Sequence, residues 1–551
     1  MSYNPYLSSE MSNHTKPELL SLENIKLSIK QAGFEKDILS ELSLTLHKGE
    51  ILALVGESGS GKSMTVKSIA RLNESIPGFE LKGNIRFGDS GTEILMLDQK
   101  SLGHFRNGSI GIIFQQSKNI LNPSLKIGNQ IGEKILIKEK LSHATLKSKV
   151  NSLLELVELQ PASRYSESYP HQLSGGQLQR CLIALAMANN PAVLLADEPV
   201  SALDAHLKTE ILQLILKLKN DHGLSVMLIS HDLELVSQVS DRIAIIKDGR
   251  IVEQGTAQQV LNQPDSEYTR ALLACRPSTD MKTRRLAVLE DFLDNPALTS
   301  DGFNKNNVLK SKELESRSTM LEESEIVISL ENVSKSYSSK TSIFRQNVKD
   351  IIAIINKSLK LRSGEILGLV GQSGSGKSTL ARMMAFIEFP DKGTIRFRNW
   401  NIQDWNEIEL QRNQQKIQMI FQDPLSVMPP HITVGRYLRE IISKSENQDK
   451  IIAGILKKVG LGHTHIEKTP TMLSGGERQR VIIARSLLLD PEVLICDEIL
   501  SALDVSVQAQ VVNLLLELNR MDNLTILFIS HDRNMVNFIS DRFISLDSDG
   551  N

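Results

Sequence analysis

Cysteine is almost absent from this 551-residue chain: Cys181, Cys275 and Cys496 are the whole supply. None is spaced as a zinc or cluster ligand, and so sparse and odd a set builds no disulfide framework and fits a reducing compartment. Two of the three fall in apolar stretches and read as small buried hydrophobes. Aromatic residues make up 4%, too few for base-stacking platforms. Basic charge is not in excess either. Lys and Arg number 63 against 65 Asp and Glu, for a net charge of −2, so there is no electrostatic footprint for nucleic acid. No apolar run approaches the roughly 20 residues of a bilayer span, and Met1 to Leu19 is polar, without a signal-peptide core. These absences predict a soluble, cytoplasmic chain whose role at a membrane, if it has one, needs a partner. Its length allows about two to four domains.

What is present is concentrated in Gly56-Glu57-Ser58-Gly59-Ser60-Gly61-Lys62-Ser63. The apolar run Ile51 to Val55 before it reads as a buried strand, and Met64 to Leu72 after it as a helix. Strand, Gly-rich turn and helix in that order make a phosphate cradle. The glycines let successive N–H groups point inward, and the helix N-terminus adds partial positive charge. Lys62 reaches the outer phosphates and the Ser63 hydroxyl ligates Mg²⁺. A lone copy could be a chance Gly/Ser-rich loop. Gly371-Gln372-Ser373-Gly374-Ser375-Gly376-Lys377-Ser378 repeats it behind a second apolar run, Ile366 to Val370, and chance is excluded.

Taken in order, residues 1–20 read as a disordered tail. A first domain spans 21–277, with strands between Leu22 and Leu46, a strand from Ile110 ending at Gln115, and helices over 122–172. Leu173-Ser174-Gly175-Gly176-Gln177 opens a long helix. Val193 to Asp197-Glu198 is a buried strand ending in two acids, and His231 follows the strand Ser225 to Ile229. Residues 278–324 read as a linker, with seven Lys/Arg against nine Asp/Glu and no sustained periodicity. The domain 325–551 replays the first. Gln422 matches Gln115, Leu473-Ser474-Gly475-Gly476-Glu477 matches the stretch from Leu173, Asp497-Glu498 matches Asp197-Glu198, and His531 matches His231. In the first half a turn at Asp248-Gly249 leads to a return strand, Arg250 to Gln254. The chain stops near the equivalent turn, Asp549-Gly550, so an open or otherwise covered edge is expected there.

Two phosphate loops, two Leu-Ser-Gly-Gly stretches and two strand-end Asp-Glu pairs make the chain resemble a fused pair of ABC-type ATPases. Finer features are similar to the importers of dipeptides, oligopeptides, glutathione or microcin-type peptides. These are Ser501 to Gln510, Phe421-Gln422-Asp423-Pro424, Tyr268-Thr269-Arg270-Ala271-Leu272-Leu273 and the insertion around Ile343-Phe344-Arg345. The resemblance implies two α/β P-loop domains, each with a mostly parallel core sheet, an antiparallel β subdomain and a helical subdomain. It implies ATP and Mg²⁺ as cofactors and head-to-tail domains, Lys62 and Ser63 served by Ser474 and Gly476, and Lys377 and Ser378 by Ser174 and Gly176.

The roles follow from that resemblance. Gly56 to Ser63, and Gly371 to Ser378 with Thr379, cradle the phosphates. Asp197 and Asp497, with Ser63 and Ser378, hold Mg²⁺. Glu198 and Glu498 polarise the attacking water. Gln115 and Gln422 sense Mg²⁺ and γ-phosphate, and His231 and His531 contact the γ-phosphate. Adenine needs an aromatic platform. Tyr337 stands at that position in the second half, where the first has Ile29 with Phe34 nearby. Departures from the family pattern are Gln116-Ser117 after the first glutamine, Glu477 ending the second signature, and Ile499 for the proline after Glu498, a change able to move that glutamate. The lone Cys275 after the Tyr-Thr-Arg segment predicts no cluster.

The function so implied is ATP hydrolysis driving uptake of a peptide-like solute. The implied partners are two integral membrane permeases and, indirectly, a solute-binding protein, with no nucleic acid. The chain would be peripheral, on the cytoplasmic face of the inner membrane. The rival reading is a soluble tandem ABC ATPase acting on ribosomes, whose linker would be a long basic hairpin. A DNA-repair relative would need zinc cysteines, and a non-hydrolysing regulator would lack the paired glutamates.

Overall fold

A computed structural model describes the chain except for residues 1–15, 32–33, 115–119, 202, 204, 276–282, 284, 296–301, 304–306, 310, 339–349, 373, 422–426, 443–446, 502 and 547–551. It forms two compact units, Met1–Thr269 and Arg270–Asn551.

In the first unit, five-residue apolar runs become strands buried along their whole length, as in a parallel sheet covered on both faces. The core sheet runs Arg250–Thr256, Arg242–Lys247, Ile51–Val55, Ser225–Ser230, Val193–Asp197, Ile110–Ile113. All neighbours are parallel except the first pair, which is antiparallel. A separate antiparallel sheet is built from Glu18–Gln31, Phe34–His47, Phe79–Phe87 and Thr92–Glu93. The helices Ile127–Lys138, His143–Leu156, Ala162–Ser166 and Gly175–Met187 supply the expected helical part. The tail read over 1–20 ends earlier, because Glu18 already opens a strand and Leu19 and Leu20 are buried in the antiparallel layer's core.

The second unit repeats the plan. Its antiparallel sheet is Asp350–Arg362, Ile326–Ser338, Lys392–Phe397 and Trp400–Asn401. Its core sheet is Ile417–Ile420, Val493–Asp497, Thr525–Ser530, Ile366–Val370 and Arg542–Ser545, all parallel. Among the described residues no return strand follows Arg542–Ser545.

Part of the stretch read as linker is folded onto this unit. Leu286 is buried in its core. The Asn513 amide clasps the Leu286 backbone, accepting from its N–H at 2.7 Å and donating to its carbonyl at 2.9 Å. From the helix Ser311–Glu323, the Arg317 guanidinium donates to the Asp541 carboxylate and, at 2.8 Å, to Asn519 Oδ1. Asp541 in turn accepts from the Ile366 N–H, at the start of the strand Ile366–Val370. The first unit solves the same problem locally: Asp241 accepts from Ile51 N–H and pairs with Lys219 at 3.1 Å. Asn519 stands where Lys219 does, so the second unit takes its cation from the preceding segment. Arg317→Ala is expected to cost about 1–2 kcal/mol, lowering the melting midpoint of the full chain by roughly 2–4 °C. An unchanged melt would show that the clasp contributes nothing.

Candidate nucleotide sites

Each phosphate loop connects an inner strand of the core sheet to a helix, Lys62–Ile69 in one unit and Lys377–Met384 in the other. The residue before each helix must be glycine. Gly61 has φ 108° and Gly376 φ 91°, a region that side chains avoid. A Cβ on Gly376 would lie 2.4 Å from the Ala353 carbonyl oxygen. The buried Lys62 ammonium folds back on its own loop, donating to the Gly56 and Glu57 carbonyls at 2.7 Å each. Lys377 does the same with Gly371 and Gln372 at 2.8 Å.

The acids arrive from a different strand. Val193–Asp197 brings Asp197 to the loop, where its Oδ1 accepts from the Ser63 hydroxyl at 2.9 Å. Glu198 is the next residue, with φ 48°, and Glu498 has φ 50°. Left-handed backbone at a non-glycine residue is strained and is kept where the surroundings enforce it. Here the Glu198 and Glu498 N–H groups donate to Ile229 and Ile529 carbonyls of the neighbouring strand. Ile499 is buried and leaves the backbone at Glu498 in the same conformation as at Glu198. The side chains differ. Glu198 Oε1 lies 3.3 Å from His231 Nδ1. Glu498 reaches Lys377 Nζ at 3.6 Å and His531 Nδ1 at 3.9 Å. Lysine, serine, aspartate, glutamate and histidine thus meet at the carboxyl ends of the parallel strands, where open α/β sheets bind ligands.

Several polar groups in these sites are left unmatched. The Ser60 and Ser375 hydroxyls, at equivalent loop positions, are buried without a hydrogen-bond partner, as is Asp497 Oδ1. Burial pushes both Asp197 and Asp497 up, against the Ser63 and Ser378 hydroxyls that favour their charged forms. Buried carboxylates beside a hydroxyl, one of them with an oxygen still unmatched, fit a hard cation's donor set.

Ser174 and Ser474 sit exposed at the N-termini of Gly175–Met187 and Gly475–Leu487 as capping boxes. Gly176 and Gly476 are held against the next long helix; a Cβ on Gly476 would lie 2.2 Å from Val507 Cγ1. Tyr337 reaches the second loop's helix. Its hydroxyl lies 3.4 Å from Thr379 Oγ1 and donates to Glu388, while the ring stays partly exposed. Ile29 packs instead against the antiparallel core. Gln115, Gln422 and Ser373 lie outside the described residues, as do Gln116-Ser117 and the insertion around Ile343-Phe344-Arg345. The side chain of Phe34 is likewise not described.

The sequence pattern of the family described as ABC transporter matches residues 39–201 and 354–501. The chain is 35% identical over 543 residues to the glutathione import ATP-binding protein GsiA of Salmonella choleraesuis strain SC-B67, covering 95% of this chain and 84% of that one. The Pectobacterium atrosepticum protein of the same name is 34% identical over 533 residues, with the same coverages.

The chain belongs to the ABC transporter family.

It is an ABC-type ATPase with two ATP-binding domains. A solved dimeric bacterial ABC transporter cassette, 30% identical, covers 43% of this chain and 99% of its own at a TM-score of 0.39.

Two contacts escaped sequence reasoning. Tyr268, quoted above only as a marker of resemblance, has its hydroxyl 3.3 Å from Glu57 Oε2 in the first phosphate loop. Glu477, read as a departure from Gln, makes the same capping box as Gln177 and adds an ion pair, with His465 Nε2 at 2.8 Å and Lys468 at 3.5 Å. Burial pushes the Glu477 carboxyl up, but the Ser474 N–H and hydroxyl, His465 and Lys468 outweigh it and hold it at about 2. A depressed carboxyl stabilises the fold above its ordinary 4.5 and loses that contribution as pH falls toward 2. Glu477→Gln keeps the cap and loses the ion pair. We expect it to lower stability at pH 7 by at most about 1 kcal/mol, since the group is partly solvated. The gap in urea midpoints should close below pH 4.5; a gap constant down to pH 3 would refute the charge assignment.

Proposed function

We propose that this ATPase energises uptake of a peptide or peptide-like solute through two separate membrane permeases fed by a solute-binding protein. What carries the reading is the extent of the likeness: it runs through both ATPase domains and the segment between them, to proteins named for glutathione import, and glutathione is itself a short peptide. Among the described residues no helix is long and apolar enough to cross a membrane, so a solute path would have to come from other chains. A place at the cytoplasmic face of the inner membrane follows from that partnership. The ribosomal alternative calls for a basic linker hairpin. The helix Ser311–Glu323 instead holds four glutamates against Lys312 and Arg317.

In this reading Lys62 and Lys377 leave their loop carbonyls for the outer phosphates. Ser63 with Asp197, and Ser378 with Asp497, hold Mg²⁺, which supplies charge neutralisation on the phosphates. Glu198 and Glu498 orient the attacking water, and His231 and His531 stand beside them as γ-phosphate contacts. Ser174, Gly176, Ser474 and Gly476 offer helix N-termini to nucleotide, and Tyr337 is the adenine platform of the second site. Gln115 and Gln422 would carry the state of each site to the permeases.

The test is purification from detergent-solubilised membranes, followed by uptake of labelled glutathione and dipeptides into cells. Two integral membrane proteins should co-purify, and uptake should stop in a Lys62→Ala, Lys377→Ala strain. Recovery with ribosomal subunits instead would overturn the reading.

A further inference from the structure

Glu57 is a carboxylate inside a loop built for phosphate. Its carbonyl accepts from Lys62 Nζ at 2.7 Å, and its side chain is half-buried. The equivalent residue in the second loop is the neutral Gln372. Like charges a few ångströms apart repel strongly where water is scarce, so an unrestrained Glu57 works against a bound polyphosphate.

A restraint comes from 211 positions away. In the helix Glu267–Ala274 the buried Tyr268 places its hydroxyl 3.3 Å from Glu57 Oε2, donating to it. Lys247, at the end of the strand Arg242–Lys247, holds its ammonium 4.9 Å from the centre of the Tyr268 ring. A cation over a phenol face is attracted by its electrons and draws them away from the oxygen, which makes the O–H a better donor. That strand pairs directly with Ile51–Val55, which delivers the loop.

We propose that Tyr268 is a positioning residue of the first nucleotide site: it ties the Glu57 carboxylate to the flanking helix and keeps it from swinging toward the phosphates. This rests on the reading that the Lys62 loop holds nucleotide phosphates. The Lys377 loop, with Gln372, has no such charge to restrain.

The experiment uses full-length protein carrying Lys377→Ala, so that binding is read at the first loop, with ribose-labelled fluorescent ATP and ADP as probes. Tyr268→Phe keeps the ring and its Lys247 contact and should melt like the parent. It should weaken ATP binding about three- to tenfold, the scale of one ordinary hydrogen bond. ADP, with less charge, should lose less, and added salt should narrow the deficit. Glu57→Gln in the same chain should remove most of it. Unchanged ATP affinity in Tyr268→Phe overturns the proposal. So does an equal loss for ATP and ADP that persists in the Glu57→Gln background, because that describes a merely structural tyrosine. Lys62→Ala separately tests the underlying reading: if it leaves first-site binding intact, the loop does not hold the phosphates, whatever Tyr268 does.

Discussion

Replacing Glu198 and Glu498 together by glutamine is expected to leave ATP binding intact and to cut hydrolysis by about 10²-fold or more, the scale of a lost general base. Both residues follow the last position of a buried strand, both hold left-handed backbone, and both have a histidine beside the carboxylate. Glutamine fits the same space and can still hydrogen-bond, so binding contacts survive while the capacity to draw a proton from water does not. The nucleotide should then accumulate unhydrolysed on the protein. Steady-state phosphate release and retained labelled ATP measure the two halves of this expectation. Near-normal turnover in the double variant would remove the glutamates from the chemistry. The single variants should be unequal, because Glu498 also faces Lys377 at 3.6 Å whereas Glu198 is held by His231.

The second large effect is expected at Gly376. Its φ of 91° alone costs another residue about 1–2 kcal/mol. A Cβ there would also sit 2.4 Å from the Ala353 carbonyl oxygen and 2.9 Å from Ile354 Cγ1. Neither is the free end of a flexible chain, so the loop itself must move, and with it the start of the helix bearing Lys377. Gly376→Ala should weaken nucleotide binding at that loop by about 10²-fold or more, since each 1.4 kcal/mol is roughly tenfold. Gly374 is the control. It has φ 82° but open space around the missing Cβ, so Gly374→Ala bears only the backbone strain and should lose roughly tenfold. Fluorescent ATP titration in a Lys62→Ala background reads the second loop alone. Equal losses for the two substitutions would show that the clash with Ala353 is not what constrains this loop.

Much of this was legible beforehand, and for a common reason. The strand–loop–helix at Lys62 and Lys377, the strands ending at Asp197 and Asp497, and the caps at Ser174 and Ser474 are local. Each depends on a few neighbouring residues: an apolar run of five, a glycine before a helix, a serine followed three positions later by Gln or Glu. Duplication then removed chance, since the same order of motifs occurs twice. What only the tertiary structure decided involves partners far apart in sequence with no periodicity to mark them. Nothing about Arg317 in an acidic stretch says that it neutralises Asp541, 224 positions on; that need exists only because Asn519 replaces the lysine used in the first unit. The ion pair of Glu477 with His465, the left-handed backbone at Glu198 and Glu498, and the reach of Tyr268 to Glu57 are of the same kind. They arise when the packed core brings chain segments together and leaves a charge, a strained residue or a hydroxyl at the meeting point.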